Sequence, residues 1–341
     1  MRVAVLRNAV SPQAALEDQD TLTQTLAVLA ALDRAGIEAF ELVMDRGPDE
    51  AARQAKALGA AVVFNLVEAV DGSARQAHLV PAAMRRAEVA CTGSGSRAML
   101  LSTSKILCKT VLARAEIPAP PLFRPGLPGD WIIKSVWEHA SFGLDADSIL
   151  SAPDRRTMRR TLTRARSTHG GAWFAEAFVP GREFNLALIR TPKGPRVLPP
   201  AEIRFDAAGS GGHHIVDWAA KWDESSAAYA RTPRTFDFPT SDKNLLTTLG
   251  RLALRCWEAF GLDGYARVDF RVHPQDGPMV IDVNANPCLS PDAGFAAALD
   301  RAGLAYEAVM AGLVEFARGP RPLLLRNPKP CFVSAASSTT C

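Results

Sequence analysis

The chain has 341 residues, too many for one small core and enough for two or three domains. Its 48% hydrophobic and 22% charged residues are ordinary for a globular protein, and a net charge of +3 spread along the chain argues against nucleic-acid or membrane partners. Six cysteines without a CxxC pair argue against a zinc knot or a disulfide framework; with no leader-like start and no membrane-length apolar run, they point to the reducing cytoplasm.

In chain order, Val3–Leu6, Ala39–Val43, Ala61–Asn65 and Val89–Cys91 read as short buried strands. Thr21–Arg34, Asp49–Leu58 and Ala74–Arg86, between them, carry helical spacing. The alternation predicts an open parallel α/β sheet over residues 1–100, with ligands beyond the carboxyl ends of its strands. Asn65 and Glu68 lie there, past the third strand, and the loop 11–20 follows the first. Thr92-Gly93-Ser94-Gly95-Ser96 predicts a turn, not a nucleotide loop, since neither GxGxxG nor GxxxxGK[ST] occurs.

A helix over 105–115 is closed by the prolines of 118–121. Trp131–Ser135 reads as a strand, Glu138–Gly143 as a loop of small residues, 153–166 as a basic helix and 173–179 as a strand. These elements make a middle unit over 101–180. The cluster Arg155-Arg156-Thr157-Met158-Arg159-Arg160 reads as a solvated helix face. A third unit over 181–318 holds strands at 183–189 and 197–202, a polar Gly-rich segment, a helix over 242–260 and a hairpin; 319–341 reads as a loose tail.

The hairpin carries the chemistry. Tyr265–Phe270 and Val280–Asn284 each alternate polar and apolar residues, as half-buried strands do, around turn residues at 273–278. A loop symmetric about Gln275 and Asp276 sets Asp269 opposite Asp282, Arg267 opposite Asn284, Val268 opposite Val283 and Phe270 opposite Ile281. Like charges directly across a ladder are destabilising unless neutralised. A hard divalent cation does this with carboxylate and amide oxygens and shares them with phosphates; the alternative is a solvated face with two acids by chance.

Taken in order, several further stretches resemble the ATP-grasp ligases, in the D-alanine–D-alanine ligase branch. They are Val63-Phe64-Asn65, Thr92-Gly93-Ser94, Ser104-Lys105 with Lys109, Ile132-Ile133-Lys134, Glu138–Gly143, Glu176–Glu183, Glu202-Ile203, Asp217–Lys221, Arg267-Val268-Asp269 and Asp282–Pro287. The resemblance covers most of residues 60–315. It implies an α/β (α+β) ATP-grasp fold: an N-terminal open parallel sheet, then two α+β units clasping ATP.

It also implies site roles. Lys105 and Lys134 match phosphate-binding lysines; Glu176 with the backbone of Ala177 and Val179 matches the adenine site, with Phe178 beside the ring, and Glu183 matches the ribose acceptor. Ser141 lies in the lid over the phosphates, Lys221 meets the γ-phosphate, and Arg267 steadies the oxyanion. Asp269, Asp282 and Asn284 match the ligands of two magnesium ions, with manganese as an alternative. The implied reaction activates a small amino-acid-like acid as an acyl phosphate and joins it to an amine, in a homodimer. A phosphotransferase and a non-catalytic ATP-binding protein are the competing readings.

The departures gather at the substrate end. The opening loop holds Glu17 without the family's Gly-rich motif, and Asn65-Leu66-Val67-Glu68 replaces its His-Gly segment. Ala140 stands for the first lid serine, Trp222 for the tyrosine beside the lysine, and Asp282 for the usual glutamate. After the metal motif come Cys288, in place of a glycine, then Ser290 and Asp292, where the family binds a carboxylate. An acid there favours a cationic or hydroxylated acceptor.

Overall fold

A computed structural model describes residues 1–11, 16–138, 141–205 and 233–319, without the side chains of residues 16–18 and 146. The first sheet holds β1 (Arg2–Asn8), β2 (Glu38–Met44), β3 (Val62–Asn65) and β4 (Ala90–Cys91), all parallel in the order β2-β1-β3-β4. Val3 to Leu6 are fully buried, as a strand covered on both faces must be. Helices Leu16–Arg34, Gly47–Ala57 and Leu79–Arg86 connect these strands. The single helix expected over 74–86 is divided. Ser73 caps a 3₁₀ turn, Ala74–Gln76, and a new helix begins at Leu79 with Pro81 in its first turn, where a missing N–H goes unnoticed.

Thr92–Ser96 packs against residues 263–264. Ser94 Oγ donates to the Asp263 carbonyl (3.2 Å) and accepts from the Asp263 N–H (3.0 Å). Gly264, at φ +69°, lies so close that a Cβ there would come within 2.9 Å of Gly93 Cα. The helix Ser96–Thr103, not foreseen in the sequence, leads into Lys105–Arg114, which Ser104 caps by accepting from the Leu107 N–H (3.3 Å).

The middle sheet is antiparallel, ordered β6-β5-β7, from β5 (Asp130–Ser135), β6 (Ile149–Ser151) and β7 (Trp173–Ala177). One face packs Trp131, Ile133 and Ala175 on Met158 and Ala165 of the helix Arg155–His169. That helix turns Arg155, Arg156, Arg159 and Arg160 to solvent, the solvated face its sequence predicts.

The large sheet runs β11-β10-β8-β12-β13, with β9 also pairing β8. Its strands are β8 (Arg182–Thr191), β9 (Gly194–Val197), β10 (Ala201–Ile203), β11 (Arg234–Thr235), β12 (Tyr265–His273) and β13 (Gly277–Asn284). Pro199 and Pro200 divide the strand expected over 197–202. The helix Lys243–Phe260 buries Leu249, Leu252, Ala253, Cys256, Trp257 and Phe260 and ends at Gly261 in the left-handed conformation. Helices Gly294–Arg301 and Tyr306–Arg318 return to the first sheet, where Phe295, Leu299, Leu313 and Val314 share a core with Val3, Val5, Val62 and Phe64. No helix among the described residues is long and apolar enough to cross a membrane.

Candidate active site

The hairpin puts Asp269 opposite Asp282, Arg267 opposite Asn284 and Val268 opposite Val283. Beyond Asp269 the expected register fails: Phe270 faces Val280, not Ile281. His273 pairs with Gly277, so the loop has three residues, and a bulge at Ile281 restores the frame. The bulge keeps Val280 and Val283 buried while Ile281 and Asp282 are both only partly covered.

Asp269 is held at both oxygens. Arg267 donates from Nε to Oδ1 (2.8 Å) and from Nη2 to Oδ2 (2.9 Å), and Asn185 Nδ2 donates to Oδ1 (2.9 Å). Burial opposes the charge on Arg267, but Asp269, with Asp282 behind it, more than offsets this and raises the guanidinium pKa. Asp282 Oδ1 accepts from the Val283 N–H (3.1 Å), and Asn284 Oδ1 from the Asn286 N–H (3.1 Å). Two carboxylates and an amide oxygen are hard donors of the kind magnesium takes, completing its shell with water and phosphate. No group of three or more His, Cys, Asp or Glu gathers among the described residues.

On the middle sheet, Glu176 of β7 is 1% exposed. Lys134 Nζ, on β5, meets its Oε1 at 2.7 Å, and Lys109 Nζ, from the helix 105–114, meets its Oε2. Burial alone would push the Glu176 carboxyl up; Lys134 and then Lys109 reverse this and hold it below the usual carboxylate range. The side chain of Glu176 thus fixes two lysine heads. Lys105 Nζ donates to the Glu138 carbonyl (2.7 Å). The Ala177 N–H donates to the Pro121 carbonyl (2.9 Å), the Phe178 N–H to that of Asp130 (2.8 Å), and Val179 is buried.

Glu183 connects the two sides. It lies within electrostatic reach of Asp269, Arg267 and Lys134, and its nearest partner is Arg271, whose Nε is 3.0 Å from Glu183 Oε2. Burial pushes the Glu183 carboxyl up, against the pull of Arg271. Lys109 and Arg271 join the predicted set. Arg271 had a legible signal: Arg267, Asp269 and Arg271 keep the period of two along one face of β12.

At the substrate end, Ser290 Oγ donates to Asp20 Oδ1, Cys288 Sγ to Asp20 Oδ2 (3.0 Å), and the Leu289 N–H to Gln24 Oε1 (3.0 Å). Asp20, three residues from Glu17, is the acid that the first helix brings to this loop; the side chain of Glu17 lies outside the described residues. Burial pushes the Cys288 thiol up, and Asp20 and Glu68 add to it. Glu68 and Asp292 are exposed. Ser141 sits at φ +60° and accepts at its carbonyl from the Leu144 N–H (3.0 Å). Lys221, Trp222 and His213-His214 lie outside the described residues, as do Ala140 and 320–341.

Residues 131–315 match the family described as D-ala D-ala ligase C-terminus. The chain belongs to the D-alanine–D-alanine ligase family. It is similar to the D-alanine–D-alanine ligase of Acidiphilium cryptum, 29% identical over 330 residues that cover 92% of this chain and 97% of that one. It is also similar to the uncharacterised protein y4sG of Sinorhizobium fredii, 27% identical over 312 residues covering 85% and 86%. Its fold is that of the Bacillus anthracis D-alanine–D-alanine ligase complexed with ATP, with a TM-score of 0.70 at 18% identity over 93% and 97% of the chains. The architecture is therefore ATP-grasp, as its motifs imply, and the D-alanine–D-alanine ligase family places the chain among C–N bond-forming ligases.

Proposed function

We propose that the protein is an ATP- and magnesium-dependent carboxylate–amine ligase that joins small amino-acid-like substrates through an acyl phosphate. The observation that carries this reading is the Asp269–Asp282 pair at the end of the β12–β13 ladder, beside Arg267 and Asn284. A carboxylate oxygen of the acid takes the terminal phosphoryl group and ADP leaves. The amine then attacks the acyl carbon, loses its proton to solvent, and expels phosphate to leave the amide.

In this reading Lys134 and Lys105 take phosphate oxygens, with Lys109 beside them, and the ammoniums demand little angular precision. Glu176, Ala177, Phe178 and Val179 border the base, and Glu183 accepts from the sugar. Arg267, whose Nε and Nη2 hold Asp269, turns its remaining N–H groups to the developing oxyanion, and Ser141 and Lys221 close over the phosphates. Asp269, Asp282 and Asn284 would hold magnesium, one or two ions, or manganese; bound there, it neutralises phosphate oxygens. Catalysis is positioning and charge neutralisation, so no nucleophilic side chain is needed.

Glu17, Glu68, Ser290 and Asp292 are the substrate-side residues. Acids outnumber bases there, with Asp20 hydrogen-bonded to Ser290, and this supports an amine substrate that is cationic or hydroxylated. We place the enzyme in the cytoplasm, as a homodimer. The test is ADP release with magnesium across amino acids, dipeptides and amines, beside Asp269→Asn. One acid–amine pair that raises ADP release in the wild type alone, with the condensed product by mass, carries the reading. Failure to bind ATP with magnesium overturns it.

A further inference from the structure

Arg271 stands out among the charged side chains because its surroundings are so complete. It is 5% exposed, directly across the β8–β12 ladder from Glu183. Its Nε lies 3.0 Å from Glu183 Oε2, and its Nη1 donates to the Gly181 carbonyl at 3.0 Å. Its guanidinium carbon lies 5.6 Å from the Phe178 ring centroid and 5.1 Å from that of Phe205. Aromatic faces at those distances attract a cation and fix its plane. The turn that brings Phe178 and the Gly181 carbonyl over the arginine requires glycine: Gly181 is at φ +103°, and a Cβ would come within 2.2 Å of the Val272 carbonyl oxygen.

The consequence falls on Glu183. A buried carboxylate without a partner becomes neutral, and a neutral acid can rotate and donate where it ought to accept. Arg271 supplies the countercharge as an ion pair at Oε2, and no described residue makes a hydrogen bond to either carboxylate oxygen. Glu183, anchored by this ion pair, therefore keeps acceptor capacity on the face of the sheet that also carries Arg267 and Asp269. Strand geometry places Arg271 roughly 13 Å along β12 from Arg267, at four residues of about 3.3 Å each. The acceptor thus lies at the far end of the face from the charge-neutralising residues, where the sugar of a nucleotide with its phosphates at Arg267 would reach.

We propose that Arg271 is a positioning residue of the nucleotide site, which holds Glu183 in place as the acceptor for a vicinal sugar hydroxyl and thereby sets preference for a ribonucleotide. This deepens the ATP-dependent reading above and rests on it. The test is equilibrium binding of ATP, 2′-deoxy-ATP and 3′-deoxy-ATP with magnesium to the full chain, for wild type, Arg271→Met, Glu183→Gln and the double variant. The double variant is matched so that no buried charge is left unpaired, and thermal melting identifies variants that retain the fold.

A charge-assisted bond to a hydroxyl is worth roughly ten- to a hundredfold in affinity. Wild type should prefer ATP over one of the deoxy analogues by that factor. Arg271→Met and Glu183→Gln should each lose most of the preference, and the double variant no more than Glu183→Gln alone. A folded Arg271→Met that keeps the full preference overturns the proposal, as does a wild type that binds all three nucleotides equally. Wild type that binds none of them sinks the ATP reading itself.

Discussion

Replacing Glu176 by glutamine tests whether two lysine heads depend on one carboxylate. Lys134 and Lys109 both reach Glu176, which is 1% exposed. At 2.7 Å for Lys134, with an effective dielectric constant of about 20, one such contact is worth about 6 kcal/mol of Coulomb attraction, most of it offset by desolvation. Removing the acid strands two ammoniums that are 13% and 14% exposed. Breaking a buried pair in this way costs about 3–5 kcal/mol. At about 2–4 °C per kcal/mol for a cooperative unit of about 150–250 residues, Tm should fall by about 6–20 °C in calorimetry of the ligand-free protein at neutral pH. The acid side gives a second reading. The folded Glu176 carboxyl titrates below its unfolded value, so its stabilisation is full above the unfolded pKa of about 4.3 and is lost as pH falls through the folded pKa. The gap between wild type and Glu176→Gln should therefore hold at neutral pH and close in acid. A variant melting within about 1 °C of wild type, or a gap that widens in acid, refutes the reasoning.

Other perturbations probe separate parts of the molecule. Gly264→Ala and Gly303→Ala both place alanine at positive φ, which costs about 1 kcal/mol, but only the first drives a Cβ onto Gly93; calorimetry should show Gly264→Ala melting well below Gly303→Ala. Asp282→Asn should raise the magnesium concentration for half-maximal ADP release by roughly tenfold or more, whereas Asp282→Glu should retain the response. The raised thiol of Cys288 should make its alkylation at pH 8, followed by peptide mass mapping, much slower than that of a free cysteine.

The pairing of Asp269 with Asp282 was legible because a period of two and a greasy opposite face leave one workable frame. The bulge at Ile281 was not, since the expected four-residue loop and the observed three-residue loop differ only in whether Gly277 joins the ladder, which no local pattern decides. Lys134 and Glu176 were both legible as site residues, but their contact was not. It joins a diagonal pair on neighbouring strands, whose register no local pattern encodes. Asp20 went unchosen beside Glu17 because the helical phase of the first helix, which turns Asp20 to Ser290, depends on its packing. The expected single helix over 74–86 failed for a local reason, because Ser73 offers its hydroxyl as a cap and starts a tighter turn.

The shared core of the first sheet and the last two helices also sets an order of events during synthesis. The strands carrying Val3, Val5, Val62 and Phe64 leave the ribosome early, and the side chains of Phe295, Leu313 and Val314 that cover them are made near the end. At about 5–20 residues per second, that interval is on the order of tens of seconds. For that time one apolar face of the parallel sheet is covered only by the first helix, through Val28, Ala31 and Leu32, so nascent chains should engage chaperones through residues 1–65 until the helix Tyr306–Arg318 emerges and docks.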